Sequence, residues 1–344
     1  MRTIDPVKIR LEASSACQLR CPSCPTAQGL IHKSAVGTGM LKFEHFKRLM
    51  DENPSVKEIG LSNWGEVMLN PELVHILAYA HERQVTVNLT NGVNLNTASD
   101  EALEALVKYQ VAEVAVSIDG ASQETYAQYR VRGQYDTVIA NVGKINEFKR
   151  RYGTDKPRLI WQFVVFGHNE HEIKAAKSLA RDLEMTFRPK LNWDPDFSPI
   201  KDRDQVMEDA GLIAASRSEL WEQTGKYTEC LQLWSEPQIN WDGTVLGCCV
   251  NYWQGFGGNA FDDGLIPAVN SENITYAREM LMGEAVARDD IPCTRCSKYQ
   301  RMAAEKKWIT RSDILLQQSW VTGLRSHPRL YRLLVSVVTR IPGW

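Results

Sequence analysis

From residue 7 to about 193 the chain alternates short β-branched runs with stretches whose apolar residues recur at helical spacing. VKIRLEA, VKEIGLS, VTVNLT, VAEVAVSID, RLIWQFVVF and FRPKLNW read as strands. Between them, LKFEHFKRLMDE places Phe43, Phe46, Leu49 and Met50 on one stripe. ELVHILAYAHERQ, DEALEALVKYQ, YDTVIANVGKINEFKRR and EIKAAKSLARDLEM have the same period. This rhythm predicts an α/β fold of about six βα units, a parallel sheet covered by helices.

Past Trp193 the rhythm breaks. WDPDFSPIKDRD is rich in Pro and Asp, as a linker is, and the region after it is short in its elements and rich in Trp and Cys. The expected organisation is a large domain over 1–195, a linker and helix over 196–228, a small cysteine-bearing domain over 229–300 and a helical tail over 301–344. The tail contains SDILLQQSWVTGL and HPRLYRLLVSVVTRI, which are expected to pack on the body. Contact of the second run with a membrane surface stays open.

Charge narrows the partners. The 344 residues carry a formal net charge of -2, so no field spans the surface to draw in nucleic acid. No run is long enough to cross a bilayer, and MRTIDPVKIR lacks an apolar signal core. A cytoplasmic location is expected. In such a chain eight cysteines point to metal binding rather than to a disulfide framework.

Three of them, Cys17, Cys21 and Cys24, follow the first strand at the spacing C-x3-C-x2-C. Three thiolates leave one iron of a four-iron cluster without a protein ligand, whereas a structural zinc site takes four. With this spacing the chain resembles the radical S-adenosylmethionine (SAM) enzymes. The resemblance implies a partial (β/α)6 barrel in which the open iron is chelated by the amino and carboxylate groups of SAM. Cleavage of the sulfonium then yields a 5′-deoxyadenosyl radical that abstracts hydrogen. Ser23 departs from the family pattern, which has an aromatic before the last cysteine.

Other segments resemble the family in order. Trp64-Gly65-Glu66 stands where the family has a glycine-glycine-glutamate segment; Gly65 would allow backbone approach and Glu66 would accept from the SAM ammonium. LTNG at 89–92 resembles a strand end of the family. Ser117 matches the ribose contact, and Arg130 the arginine reaching the SAM carboxylate, with Arg132 as its rival. Val165 would offer strand backbone to adenine and Leu191 would pack on the ring. Core packing is the competing reading of both.

Cys230, Cys248, Cys249, Cys293 and Cys296 lie in the small region, the last two as C-x2-C. Spacing alone leaves zinc and a second iron–sulfur cluster open. INWDGTVLGCC, then GGNAF, then the late C-x2-C resemble the SPASM/Twitch extension of radical SAM enzymes, in its shorter Twitch form with one auxiliary cluster. The resemblance implies Cys230, Cys248, Cys293 and Cys296 as ligands of that cluster, with Cys249 a neighbour. The cofactors implied are SAM and two [4Fe-4S] clusters.

The reaction expected from this resemblance is two-electron oxidation of a secondary alcohol on an amino-sugar or cyclitol-type small molecule, the auxiliary cluster accepting an electron. A flavodoxin- or ferredoxin-type protein would supply reducing electrons. Maturation of a ribosomally made peptide, by thioether formation, epimerisation or carbon–carbon crosslinking, is the alternative. A non-catalytic zinc protein is a second. No catalytic base is assigned: Asp119, Asp194 and Asp196 are unranked, and His168 and His171 read as a solvated helix start.

Overall fold

The computed structural model describes residues 3–225 and 227–317. Strands β1 (Lys8–Leu11), β2 (Glu58–Gly60), β3 (Thr86–Val93), β4 (Glu113–Ser117), β5 (Arg158–Val165) and β6 (Thr186–Leu191) stand where the alternation predicts them. So do helices α1 (Phe43–Glu52), α2 (Leu73–Glu82) and α3 (Asp100–Lys108). One short helix unforeseen in the sequence, α4 (Gln123–Tyr129), precedes α5 (Tyr135–Tyr152) and α6 (Ile173–Asp182).

Local chemistry sets the boundaries. Ser99 and Ser122 cap α3 and α4 by accepting from the N–H groups of Ala102 and Thr125. Asp100 and Glu101 lie in the first turn of α3, where they favour the helix dipole. Gly153, at φ 60°, ends α5 in the left-handed conformation.

The chain divides into two units. The larger holds Leu11–Lys47 and Ile59–Gly225, and its strands follow the order β6-β5-β4-β3-β2. The β3–β4, β4–β5 and β5–β6 pairs are parallel, with Ser117 opposite Gln162 and Val165 opposite Leu191. Phe163 and Phe187 meet at 5.6 Å, and Lys177 of α6 lies over the Phe187 ring. Odd-numbered positions of β5 and β6 therefore face the helices, and even-numbered ones face the other side. Trp161 and Phe163 are fully buried on the helix side, each worth roughly 1.5–3 kcal/mol by burial.

In β3 the register slips between Leu89 and Val93. Gly92, at φ 109°, occupies this irregularity, and a Cβ there would lie 2.5 Å from Ser117 Oγ. LTNG thus forms the bulged C-terminal end of β3. The Pro- and Asp-rich stretch after β6 also belongs to this unit, with helices α7 (Arg203–Ala210) and α8 (Arg217–Thr224).

The smaller unit contains residues 3–10, Arg48–Glu58 and the described residues after 226. Following α9 (Gln232–Ser235), strands β7 (Gln238–Ile239) and β8 (Val245–Gly247) form an antiparallel pair. Helices α10 (Leu265–Val269), α11 (Glu272–Leu281), α12 (Ser297–Glu305) and α13 (Arg311–Leu316) complete it. Arg278, 1% exposed, donates to the carbonyls of Leu233 and Val269 and to Asn270 Oδ1. One guanidinium thus joins α9, α10 and α11. Of the expected tail, residues 318–344 lie outside the described residues. Among the described residues no helix is long and apolar enough to cross a membrane.

Candidate cluster and cofactor sites

The cysteine loop leaves the sheet after β1 and is strapped to segment 64–66. Glu12, 1% exposed, accepts from the N–H groups of Trp64 at 2.8 Å and Gly65 at 3.5 Å. Glu66 N–H donates to Ala16 O at 2.7 Å, and Thr26 Oγ1 donates to Trp64 O at 2.6 Å. A Cβ on Gly65 would stand 2.0 Å from Ser14 O and 2.6 Å from Ala16 O. The close approach expected at Gly65 therefore has the cysteine loop's own main chain as a partner. Gly65→Ala is expected to push this loop away, costing about 1–3 kcal/mol and lowering iron uptake. Denaturant unfolding and an iron assay check it.

Glu66 is 2% exposed. Its Oε1 accepts from Met68 N–H at 3.1 Å and its Oε2 from Asn94 N–H at 2.8 Å. Burial nonetheless pushes its pKa up to about 7 from an ordinary 4.5. The folded chain then holds a proton that the unfolded chain has lost. Stability falls as pH rises from about 4.5 to about 7 and is level above, by roughly 3 kcal/mol in all. Glu66→Gln should remove this slope in melts recorded from pH 4.5 to 8. A parallel slope in both proteins would refute the assignment.

Cys17, Cys21 and Cys24 are free thiols. They pack with Leu19, Val164, Tyr129, Phe166 and Phe197. Tyr129 and Phe166 rings are 4.5 Å apart, Phe197 is 5.5 Å from each, and His168 stacks on Phe166 at 5.1 Å. Ser23 is 2% exposed, and among the described residues its hydroxyl has no hydrogen-bond partner. The aromatic surface by the loop thus comes from distant residues, which sequence reading missed.

Burial pushes Cys17 up to about 12 and raises Cys21, and charge on neighbouring thiols raises each further. Three thiolates are costly here without a cation among them. A positively charged iron group offsets that cost, so the donor set fits a cluster. Asn94 Nδ2 donates to Cys17 Sγ and Arg130 Nη1 to Cys21 Sγ, both at 3.8 Å.

Ser117, 3% exposed at the end of β4, accepts from Gln162 Nε2 at 3.2 Å. Arg130 lies inward: its Nε donates to Asp119 Oδ2 at 2.6 Å, and its guanidinium lies over the Tyr129 ring. Arg132 is exposed, which favours Arg130 in their rivalry. Asp119 is fully buried, and its Oδ1 accepts from Val164 N–H at 2.7 Å. Those bonds make it an anchor for Arg130 rather than a base open to substrate.

Val165 and Leu191 share the helix-facing side with Phe163 and Phe187, so their side chains serve the core. Asp194 and Asp196 form a turn in which Asp196 N–H donates to Asp194 Oδ1. His168 pairs with Ser198 Oγ through Nδ1 and is lowered in pKa by burial; His171 is exposed.

The second set of thiols lies in the smaller unit. Cys230 sits in a turn before α9, Cys248 directly after β8, Cys293 in the turn Pro292–Arg295, and Cys296 just ahead of α12. Burial raises Cys230, Cys248 and Cys293, and charge on Cys248, Cys293 and Cys296 raises Cys230 further. The four are therefore neighbours in space, a donor set that fits a closed cluster. Cys249 lies beside Cys248, whose pKa its charge raises, while its own charge meets Arg10 and Glu229 and its N–H donates to Gln232 Oε1. Among the described residues, no three His, Cys, Asp or Glu side chains converge on a single-ion site.

Residues 11–180 match the model of the Radical SAM superfamily, so this stretch is a radical SAM domain, of the kind that binds SAM and a four-iron cluster. Among particular proteins, the chain is similar to the AdoMet-dependent heme synthase of Methanosarcina barkeri. The two are 31% identical over 181 residues, 52% of this chain and 48% of the relative. The match thus spans about half the length of that curated relative.

Two solved structures share the fold. Streptococcus suis SuiB bound to S-adenosylmethionine aligns with TM-score 0.60 at 13% identity, over 90% of this chain and 77% of SuiB. anSMEcpe with bound AdoMet and a Cp18Cys peptide aligns with TM-score 0.57 at 14% identity, over 98% of this chain and all, 100%, of anSMEcpe. At these identities the likeness concerns fold.

Proposed function

We propose that the chain is a radical SAM oxidoreductase that abstracts hydrogen from a small molecule and oxidises it by two electrons, with an amino-sugar or cyclitol-type secondary alcohol as the substrate class. The observation carrying this reading is the grouping in one unit of Cys17, Cys21 and Cys24 with Glu66 and Arg130. Loaded with SAM and two four-iron clusters, the sites would supply a hydrogen-abstracting radical and an acceptor for the second electron.

The chain's own residues do the positioning. Cys17, Cys21 and Cys24 would ligate the first cluster, and Cys230, Cys248, Cys293 and Cys296 the auxiliary cluster of a Twitch-type domain. Glu66 gives its carboxylate to an ammonium group, and pairing with that cation brings its pKa back down. Below pH 7 this pairing must first expel a proton, so SAM binding should weaken as pH falls. Ser117 stands at the end of β4 for a ribose hydroxyl, and Arg130 offers charge for a carboxylate. Tyr129, Phe166 and Phe197 cover one side of the sulfurs.

The curated relative is named for making heme, a non-peptide product, which supports a small-molecule substrate. The test incubates reduced, reconstituted protein with SAM and either an aminocyclitol deuterated at its carbinol carbon or a precursor peptide encoded beside the gene. Deuterium appearing in 5′-deoxyadenosine together with a ketone product is the expected result. Acceleration by the peptide alone would overturn the small-molecule reading.

A further inference from the structure

We infer that Asn94 and Arg130 are positioning residues for the N-terminal cluster: each donates an N–H···S hydrogen bond to a ligating sulfur, and together they raise the cluster's reduction potential. The inference rests on the reading of Cys17, Cys21 and Cys24 as cluster ligands.

The orientation of Asn94 follows from its partners. It is 4% exposed, and its Oδ1 accepts from Gln18 Nε2 at 2.8 Å and from Asn96 N–H at 3.0 Å. Those donors require the oxygen on their side, which turns the NH2 group toward Cys17 Sγ at 3.8 Å. The main-chain N–H of the same residue holds Glu66 Oε2. One residue therefore orients both a thiol and the buried carboxylate.

Arg130 is set in the same manner. Asp119 holds its Nε, and the Tyr129 ring lies under the guanidinium at 5.2 Å. Because the guanidinium is planar and rigid, fixing Nε fixes the direction of Nη1, which reaches Cys21 Sγ at 3.8 Å. Asp119, fully buried, is itself held by Val164 N–H, so the direction of the guanidinium is pre-set.

Reducing a four-iron cluster adds one negative charge, shared by its sulfurs. Donors to those sulfurs stabilise the reduced form more than the oxidised one, and the potential rises. Arg130 adds a full positive charge to that effect.

The test is an anaerobic redox titration of the reconstituted full chain, followed by electron paramagnetic resonance without SAM so that cofactor binding plays no part. Asn94→Asp keeps the shape and the main-chain bond to Glu66 but removes the donor, and Arg130→Met removes the second donor. Each should lower the ratio of reduced to oxidised cluster about tenfold at a fixed potential, ~59 mV for a one-electron couple. Arg130→Lys should recover part of the loss. Should Asn94→Asp take up no iron, Gln18→Met frees the amide to turn and should shift the potential in the same direction by less. Loaded variants with the wild-type potential would overturn the inference. An unchanged iron content after replacement of all three N-terminal thiols by Ala would instead remove the ligand reading beneath it.

Discussion

Replacing Cys17, Cys21 and Cys24 together by Ala is expected to halve the iron of the reconstituted chain, from about eight to about four per molecule by ligand count, and to abolish 5′-deoxyadenosine formation. The three thiols are free, packed against one aromatic surface with Cys21 buried, and the charges of Cys21 and Cys24 act on Cys17. Loss of the whole set therefore removes one site and leaves the other, since Cys230, Cys248, Cys293 and Cys296 belong to the second unit. Removing Cys293 and Cys296 should take away the complementary half. Cys249→Ser should leave iron content unchanged, because that thiol is set beside Arg10 and Gln232. Iron and sulfide assays with electron paramagnetic resonance check each. A colourless protein holding zinc at both cysteine groups would overturn the assignment.

Asp119→Ala should cost about 3–5 kcal/mol, the penalty for leaving one member of a buried ion pair alone. The Asp119 side chain is fully buried and that of Arg130 is 14% exposed, with 2.6 Å between Oδ2 and Nε. The substitution also strands the N–H of Val164. Replacing both, as Asp119→Leu with Arg130→Met, should recover much of the stability and none of the SAM cleavage. That split separates the pair's part in folding from its part in the site. Denaturant unfolding gives the first quantity and 5′-deoxyadenosine release the second. A single-variant loss under 1 kcal/mol would show that the pair is not what holds this corner.

Much of the fold was legible because strands and helices announce themselves through local period. The β1–β6 and α1–α3 segments emerge within a few residues of the runs that predict them. Helix α4 was missed because seven residues give too little period to read, although Ser122 offered a capping signal. The stretch after β6 reads as a linker and helix, and helices α7 and α8 lie there, in the larger unit. Composition there said nothing about which surface the segment packs on.

The candidate site can be proposed from its cysteines and Glu66, whose spacing and order along the chain are themselves the signal. Asn94 was invisible: an amide after a strand has no pattern that marks it as a donor to sulfur. Asp119 looked like any acid at a strand end until its oxygens were seen on Arg130 and Val164. Gly65 suggested closeness to a cofactor, and the structure shows closeness to Ser14 and Ala16.

What the chain determined by itself was the alternation of strand and helix and the number and spacing of its thiols, because both are properties of neighbours along a polymer. Only the tertiary structure decided which groups meet those thiols. Residues 17, 66 and 94 are joined through hydrogen bonds, as are 21, 119 and 130, and such bonds depend on distance in space, which sequence separation does not encode.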